Sequence, residues 1–236
     1  MKMSETNDLT RGSFDQALSS LMNGASAYGE YFKNLEETLY SAEDEQPDRG
    51  LPNYIGVTSS HGGEGVSTVA VNLAKVLAIS REEQVLLADA NYLKPAIHTE
   101  FQIAQAPGLG EAIWEDADLE LVIRPTPKEN LFVLPAGAVN RGPFQFDPRR
   151  FPAVYQALTA KFHHIVFDLP PAGESSAVLK LASHLDGIIL TVQAERVRYE
   201  VAKKTKERLK VAGANILGGV LNRRKYHIPE WLYRTL

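Results

Sequence analysis

The sequence predicts an α/β fold with a doubly wound, mostly parallel sheet and an N-terminal helical extension. Three observations support this fold class. Apolar, strand-like segments alternate with amphipathic helical segments across residues 53–225, which is the order of a parallel sheet with helical crossovers. Several strand-like segments are apolar at nearly every position, as in strands covered on both faces. A glycine-rich turn joins the first strand to the first helix.

Length and composition limit the class of protein. A chain of 236 residues suits one α/β domain with appendages. Its net charge of −4 gives no general attraction to nucleic acid, so we expect no nucleic-acid partner. The chain has no cysteine, which excludes thiol catalysis, disulfides and cysteine-ligated metals. It has no apolar run of about 18 residues, so we expect no membrane span. At the N-terminus no apolar segment directly follows the first lysine, so we expect no signal peptide.

The N-terminal region divides into three parts. Residues 1–12 are polar, and we predict that they are disordered. Across residues 13–40, apolar residues recur at alternating steps of four and three, which predicts an amphipathic helix with a heptad seam. Gly24 and Gly29 each cost this helix about 1 kcal/mol, so it requires a partner surface, either on its own domain or on another subunit or partner helix. Residues 41–52 contain acidic residues, prolines and a glycine, as expected for a linker.

The remaining elements follow the glycine-rich turn in a regular βα order. The first strand is predicted at 54–57 and the first helix at 66–79. Further strands are predicted at 84–90, 119–123, 130–134, 164–169, 187–192 and 216–221, and further helices at 108–115, 151–161, 176–185 and 197–211. The apolar face of the last helix is predicted at Val201, Leu209 and Val211. Residues 226–236 are predicted to form a C-terminal tail beyond the domain.

Residues 60–68 approximate a phosphate-binding loop, whose pattern is G-x-x-x-x-G-K-[ST]. Such a loop turns tightly at its glycines and directs backbone N–H groups at an anion at the N-terminus of a helix. The predicted nucleotide-binding residues are Gly62, Gly63, Glu64, Gly65, Val66, Ser67 and Thr68. The Ser67 hydroxyl stands where such loops bind magnesium. Two positions depart from the pattern, because Ser60 replaces the first glycine and Val66 replaces the lysine.

Two aspartates, Asp89 and Asp168, lie at the ends of apolar strands. In an open α/β sheet, ligands lie beyond the carboxyl ends of the strands, so both carboxylates are expected near the glycine-rich turn. We predict that Asp89 and Asp168 are the catalytic residues and that, together with Ser67, they hold a metal ion. The alternative interpretation is that either aspartate only caps the segment that follows it.

Six segments of the chain match a known family in order and spacing. They are SSHGGEGVSTVAVNLA (59–74), VLLADANYLKPAIH (85–98), GLGEAI (108–113), NLFVLPAGAVNRGP (130–143), HHIVFDLPPAG (163–173) and residues 186–223. The chain resembles the tyrosine kinases of bacterial capsule and exopolysaccharide export, within the MinD- and ParA-like P-loop ATPases. The resemblance implies a P-loop NTPase fold, binding of ATP or ADP with Mg²⁺, oligomerisation and autophosphorylation of C-terminal tyrosines. It also implies a cytoplasmic protein at the inner face of the membrane, bound to the cytoplasmic tails of a polysaccharide co-polymerase.

The resemblance implies roles for residues near the end of the chain. Asn222 and Arg223 follow the last predicted strand, where related proteins contact adenine, so they are expected to bind nucleotide. The C-terminal tail of the family usually holds a run of tyrosines. Tyr226 and Tyr233 are the tyrosines of this tail, and they are the candidate phosphoacceptors.

Several positions depart from the family pattern. The second strand of the family usually carries an Asp-x-Asp pair followed by an arginine, and here Asn91 and Leu93 replace the second aspartate and the arginine. The family's oligomerisation motif, Glu-x-x-Arg-x-x-Arg, aligns with Glu30, Lys33 and Glu36, so the charge of its last position is reversed. Together with the missing loop lysine, these departures affect phosphate binding, catalysis and assembly.

These losses favour a catalytically degenerate, pseudokinase-like adaptor that docks on a membrane polysaccharide co-polymerase. Losing one preorganised electrostatic donor typically lowers a rate by a factor of about 10²–10³, whereas the backbone N–H groups and the helix dipole still attract phosphate. Binding of ATP or ADP with Mg²⁺ is therefore expected to be weak or absent. Lys94, Arg141 or a lysine from a neighbouring subunit is a candidate replacement for the missing charge.

Two alternatives stay open. In the first alternative, the chain is an active tyrosine autokinase that phosphorylates Tyr226 or Tyr233. In the second, it is a MinD-like P-loop protein at a membrane surface. For the second alternative, Arg223, Arg224 and Lys225 form a basic cluster beside the apolar residues of the tail, which suits peripheral membrane contact. Packing of that tail on its own domain is the competing interpretation.

Overall fold

The structure is a computed structural model, and it describes residues 34–35, 52–138 and 149–223. The strands within these residues are β1 Tyr54–Ser59, β2 Val85–Asp89, β3 Arg124–Pro125, β4 Leu131–Leu134, β5 His164–Asp168, β6 Gly187–Gln193 and β7 Ile216–Asn222. The numbered helices are α1 Val66–Ser80, α2 Ile97–Glu100, α3 Leu109–Trp114, α4 Leu119–Val122, α5 Phe151–Thr159, α6 Ser176–Ala182 and α7 Tyr199–Val211.

The described strands form one sheet of seven in the order β3-β4-β2-β5-β1-β6-β7. Neighbouring strands run parallel except β3 and β4, which are antiparallel. The predicted fold class is therefore confirmed. Because β1 lies between β5 and β6, the loop that follows β1 starts in the middle of the carboxyl edge. In this register Val57 pairs with Asp168, which in turn pairs with Asp89.

Helices cover both faces of the sheet, and the side chains of its strands alternate between two apolar clusters. In β2, Leu86 and Ala88 belong to one cluster, whereas Val85 and Leu87 belong to the other, as the two-residue period of a strand requires. The first cluster includes buried residues of α3, α5 and α6. The second contains the apolar buried residues of α1 and is called the α1 cluster below. Among the described helices, none is long and apolar enough to cross a membrane.

The segment predicted as a strand at 119–123 is helical, so that prediction is wrong. The Asp118 carboxylate accepts a hydrogen bond from the Glu120 N–H at 3.0 Å at the start of α4. This side chain satisfies one of the free N–H groups of the first turn, which favours a helix start over an extended chain. Only the two-residue strand β3 follows.

The apolar face of α7 also differs from the prediction. Val211 is 89% exposed, whereas Thr205 and Leu209 are buried. Val211 lies two residues after Leu209, which is about 200° around the helix, so it is on the face opposite the buried one. The ends of the other predicted elements shift by only one to three residues.

The helix predicted over 13–40 is described at two of its residues. Asn34 and Leu35 are helical, and Leu35 packs, partly buried, against the α1 cluster. At this residue the helix contacts its own domain, which is one of the two partner surfaces predicted for it. Several predictions fall outside the described residues, namely those on segments 1–12, 41–51 and 226–236 and on Glu30, Lys33, Glu36, Tyr226 and Tyr233. The predicted domain limits stay predictions.

A buried amide closes the C-terminus of α1. Asn130 is only 9% exposed, and its Nδ2 atom donates to the carbonyl oxygens of Ala78 at 3.0 Å, Arg81 at 2.9 Å and Glu83 at 3.1 Å. The last carbonyls of a helix lack partners within the helix. This side chain therefore joins the end of α1 to the start of β2.

We expect Asn130→Ala to lower the free energy of unfolding by about 1–3 kcal/mol, because it removes three hydrogen bonds, one of them to the carbonyl of the buried Ala78. Urea unfolding at equilibrium measures the change. Asn215→Ala is the matched control, since Asn215 is exposed and donates one hydrogen bond, to the Asp186 carbonyl at 2.9 Å. Equal losses in the two variants would contradict the role assigned to Asn130.

Candidate nucleotide-binding site

The glycine-rich loop runs from the end of β1 to the start of α1, and two of its glycines adopt left-handed backbone. Gly63 has φ +84° and Gly65 has φ +91°. A Cβ atom at Gly65 would also overlap the Asn222 amide. Glycine is therefore favoured at position 65 both by its backbone conformation and by the close approach of Asn222.

The backbone N–H groups of this loop indicate a site for an anion. The described residues provide no acceptor for the backbone N–H groups from Gly63 to Thr68, and the first hydrogen bond of α1 runs from the Val69 N–H to the Gly65 carbonyl at 3.0 Å. Consecutive free N–H groups at the start of a 15-residue helix attract an anion through their own dipoles and that of the helix. The geometry thus fits the phosphate groups of a nucleotide.

Glu64 fixes the shape of the loop. Its side chain is fully buried, Oε1 accepts from the His61 N–H at 2.6 Å, and Oε2 accepts from the Gln193 N–H at 3.2 Å. Its carbonyl accepts from Asn222 Nδ2 at 3.0 Å. These bonds tie the loop to the ends of β6 and β7. Glu64 was predicted to bind nucleotide, and because its carboxylate already accepts two backbone hydrogen bonds, its backbone N–H is the group available for that contact. The contact itself stays a prediction.

A second carboxylate lies at the first glycine of the loop. The Gly62 N–H donates to Glu174 Oε1 at 3.1 Å, and His61 Nδ1 lies 3.5 Å from the same oxygen. Glu174 follows β5 and is partly exposed. The N–H of Gly62 is thus engaged within the protein, unlike those from Gly63 onward. No sequence pattern indicated Glu174.

The side chain of Val66, at the position of the loop lysine, is directed into the core and away from the anion site. Its side chain is 7% exposed and belongs to the α1 cluster. The apolar residue at this position is therefore part of the core. Ser67 is half-buried and Thr68 is exposed at the start of α1.

Asp168 is a buried carboxylate without a hydrogen-bond partner. Its side chain is fully buried, and neither carboxylate oxygen has a partner among the described residues. Burial raises the pKa of Asp168 well above its ordinary value, the Asp89 charge raises it further, and the nearby Ser67 hydroxyl opposes the rise. A buried charge without a partner is unfavourable. A bound cation would compensate it.

Asp89 lies beside Asp168 but is engaged differently. Its Oδ1 accepts from the Asn91 N–H at 3.1 Å, and Oδ2 accepts from the N–H groups of Ala96 at 3.0 Å and Ile97 at 3.1 Å. Asp89 therefore caps α2, which is the alternative interpretation raised for both aspartates. Burial raises the pKa of Asp89, while these three N–H groups and the charge of His98 oppose the rise.

The residues present fit a magnesium ion better than a metal bound by protein alone. Across the parts of the chain that the structure describes, no group of three or more His, Asp or Glu side chains is placed to hold a metal. Magnesium is usually bound through one or two carboxylates, waters and substrate phosphates. Asp168 and the Ser67 hydroxyl suit that role, with Asp89 beside them. The metal and catalytic roles of these residues stay predictions.

The other predicted residues lie at different distances from the loop. Asn222 contacts it through Glu64, and Arg223 follows at the end of β7 with an exposed side chain, φ +56° and its N–H bonded to Asn222 Oδ1 at 2.8 Å. Lys94, a candidate replacement charge, is exposed between β2 and α2. Arg141, the other candidate in this chain, lies outside the described residues.

One cation at the loop was not predicted. Arg196 Nη1 would lie 3.3 Å from a Cβ atom built on Gly63, and it donates to Gln193 Oε1 at 3.2 Å. Arg196 belongs to the turn between β6 and α7, far from the loop in sequence. That turn carries several charged residues, so no pattern distinguishes Arg196 from its neighbours.

Comparisons with known proteins show the family of this chain. The ParA family model, described as NUBPL iron-transfer P-loop NTPase, matches residues 50–233. Among curated relatives, tyrosine-protein kinase YwqD of Bacillus subtilis (strain 168) is 30% identical over 180 residues, which cover 75% of this chain and 75% of that protein.

Solved structures show the same fold. The chimerical protein CapA2B2 superposes with a TM-score of 0.80 at 26% identity, covering 89% of this chain and 91% of that chain. The septum site-determining protein MinD from Pyrococcus horikoshii OT3, complexed with Mg-ADP, superposes with a TM-score of 0.62 at 28% identity. That comparison covers 77% of this chain and 75% of the MinD chain.

We expect Asp168→Asn to stabilise the protein without metal at pH 8, by on the order of 1–3 kcal/mol. A raised aspartate pKa favours folding fully below the unfolded pKa of about 3.9, and this contribution is lost as the pH rises through the folded pKa. The advantage of the variant should therefore shrink from pH 8 to pH 5. Urea unfolding in EDTA measures both values.

Asp116→Asn is the control for the pH dependence, because Asp116 is 89% exposed. Its effect on unfolding should be small and similar at the two pH values. A less stable Asp168→Asn variant at pH 8, or an advantage equal at both pH values, would contradict an uncompensated buried carboxylate.

Proposed function

This chain belongs to the bacterial tyrosine-kinase family within the ParA-like P-loop NTPases, and we propose that it is a catalytically degenerate member acting in capsule or exopolysaccharide production. One observation carries the proposal. The loop keeps free N–H groups from Gly63 to Thr68, while Val66, at the position of the lysine, packs into the core. The site thus keeps the donors that bind phosphate and lacks the charge that promotes its transfer.

The proposed site binds ATP or ADP weakly through this chain's own groups. The loop N–H groups bind the phosphates, and Asp168 and Ser67 hold the magnesium ion. Asn222 and Arg223 lie at the end of β7, where we place the contact with adenine. A bound Mg-ATP supplies the phosphoryl group that an active kinase of this family transfers to tyrosine. MinD, a structural neighbour, was solved with Mg-ADP, which supports this ligand class.

Energetics favour weak binding with poor transfer. A lost electrostatic donor costs the transition state about 3–4 kcal/mol, or a factor of about 10²–10³ in rate. Asn91, at the position of the family's second aspartate, adds a second loss, although such losses are not additive. Phosphate binding in the ground state depends more on the loop N–H groups, which the chain retains.

The proposed role of the protein is to dock on a membrane partner. We place it in the cytoplasm at the inner face of the membrane, bound to the cytoplasmic tails of a polysaccharide co-polymerase and assembled as a homo- or hetero-oligomer. Family membership supports this assignment. Glu30, Lys33 and Glu36 are the proposed oligomer contacts.

We expect the purified chain to bind Mg-ATP but to produce no phosphotyrosine on Tyr226 or Tyr233. Calorimetry measures binding, and phosphopeptide mapping after incubation with Mg-ATP measures transfer. Val66→Lys should not restore full activity, because the loop lysine is only one of the missing groups and position 66 now packs in the α1 cluster. Robust autophosphorylation of the unaltered chain would instead establish an active autokinase. Absence of any nucleotide binding would overturn the nucleotide part of the proposal.

The adaptor role predicts a phenotype that does not depend on tyrosine phosphorylation. Deleting the gene should change the amount or chain length of the surface polysaccharide. A copy carrying Tyr226→Phe and Tyr233→Phe should restore it as well as the unaltered copy, and both should crosslink to the co-polymerase in cells. Failure of the double variant alone would favour the autokinase. An unchanged polysaccharide after deletion, with no crosslinked partner, would contradict the adaptor role.

A further inference from the structure

The loop lacks its lysine, but the described structure places another cation against it. Arg196 Nη1 lies close to Gly63: if this glycine carried a Cβ atom, the two atoms would be 3.3 Å apart. Gly63 begins the run of N–H groups without an acceptor among the described residues. The guanidinium therefore lies next to the first free donor of the anion site.

The turn that carries Arg196 is held in place by the loop itself. The Gln193 N–H donates to the Glu64 carboxylate at 3.2 Å, and the Gln193 side chain accepts from Arg196 at 3.2 Å. The Ala194 N–H donates to the Asn222 carbonyl at 2.9 Å. Arg196 is thus joined through Gln193 and Glu64 to the segment that forms the anion site.

Arg196 has unused capacity to bind phosphate. A guanidinium carries five N–H donors in a planar fork, which suits the oxygens of a phosphate group. The described residues account for one of these donors, in the bond to Gln193. The side chain is exposed, so a ligand at the loop can reach it. The other carboxylate at the loop, Glu174, repels an anion and increases the need for a cation here.

We infer that Arg196 supplies the positive charge for phosphate binding that Val66 cannot supply. This inference rests on the proposed function, because it assigns a residue to the same nucleotide site. The charge comes from the turn after β6 instead of from α1. Arg196 is a binding residue for the phosphates of ATP or ADP, and no transfer step is assigned to it.

We expect Arg196→Gln to weaken Mg-ATP binding about 10- to 100-fold, the loss typical of one hydrogen bond to a charged group. Calorimetry at low salt measures it, with Mg-ADP as a second ligand. Arg196→Lys should recover part of the affinity. The difference between the unaltered chain and Arg196→Gln should shrink at high salt, since screening weakens interactions between exposed charges.

Arg198→Gln is the matched control. Arg198 lies two residues along the same turn, is exposed, and makes no side-chain hydrogen bond with any described residue. Its loss should leave nucleotide affinity and the thermal midpoint unchanged. The thermal midpoint of Arg196→Gln without ligand should also match that of the unaltered chain.

The outcomes separate this inference from the proposed function. Equal Mg-ATP affinity of Arg196→Gln and the unaltered chain would overturn the inference and leave the proposed function standing. Weaker binding with a lowered midpoint, no recovery in Arg196→Lys and no salt dependence would assign Arg196 to packing of the turn, which also overturns it. Failure of the unaltered chain to bind Mg-ATP would overturn both.

Discussion

The hydrogen bonds of the buried Glu64 residue are the interactions on which the rest of the site depends. Its carboxylate accepts hydrogen bonds from the loop and from the end of β6, while its carbonyl holds the Asn222 amide at the end of β7. A fully buried charge is stable only when such donors surround it. The loop is therefore tied to the ends of β6 and β7 of its own sheet through this one residue.

The two aspartates at the strand ends have the same position in the sheet and the same burial, but their carboxylates have different hydrogen-bond partners. Asp89 and Asp168 are paired in register and equally buried. Three backbone N–H groups satisfy Asp89, whereas neither oxygen of Asp168 has a partner among the described residues. One carboxylate therefore supports the fold and the other is available to a ligand. The distinction comes from the chain that follows each strand, since only the segment after Asp89 turns back to donate to it.

The sequence allowed prediction of the fold and of which strand ends meet, because apolar periodicity and βα order determine both. It did not identify the contacts between distant segments at the loop. Glu174 and Arg196 reach the loop from the turns after β5 and β6, and charged residues in turns carry no pattern that reveals their direction. The error at residues 119–123 has a local cause. Alternating apolar residues suggested a strand, and the Asp118 cap favoured a helix.

The packing of Val66 has a consequence for any attempt to restore the loop lysine. In the α1 cluster the valine contributes to the core, so a lysine at this position would either turn its side chain out and leave an apolar gap, or bury its ammonium group. Introducing a lysine here would therefore lower the stability of the fold as well as change the charge of the site. A cation that reaches the loop from another turn, as inferred for Arg196, avoids that cost to the core.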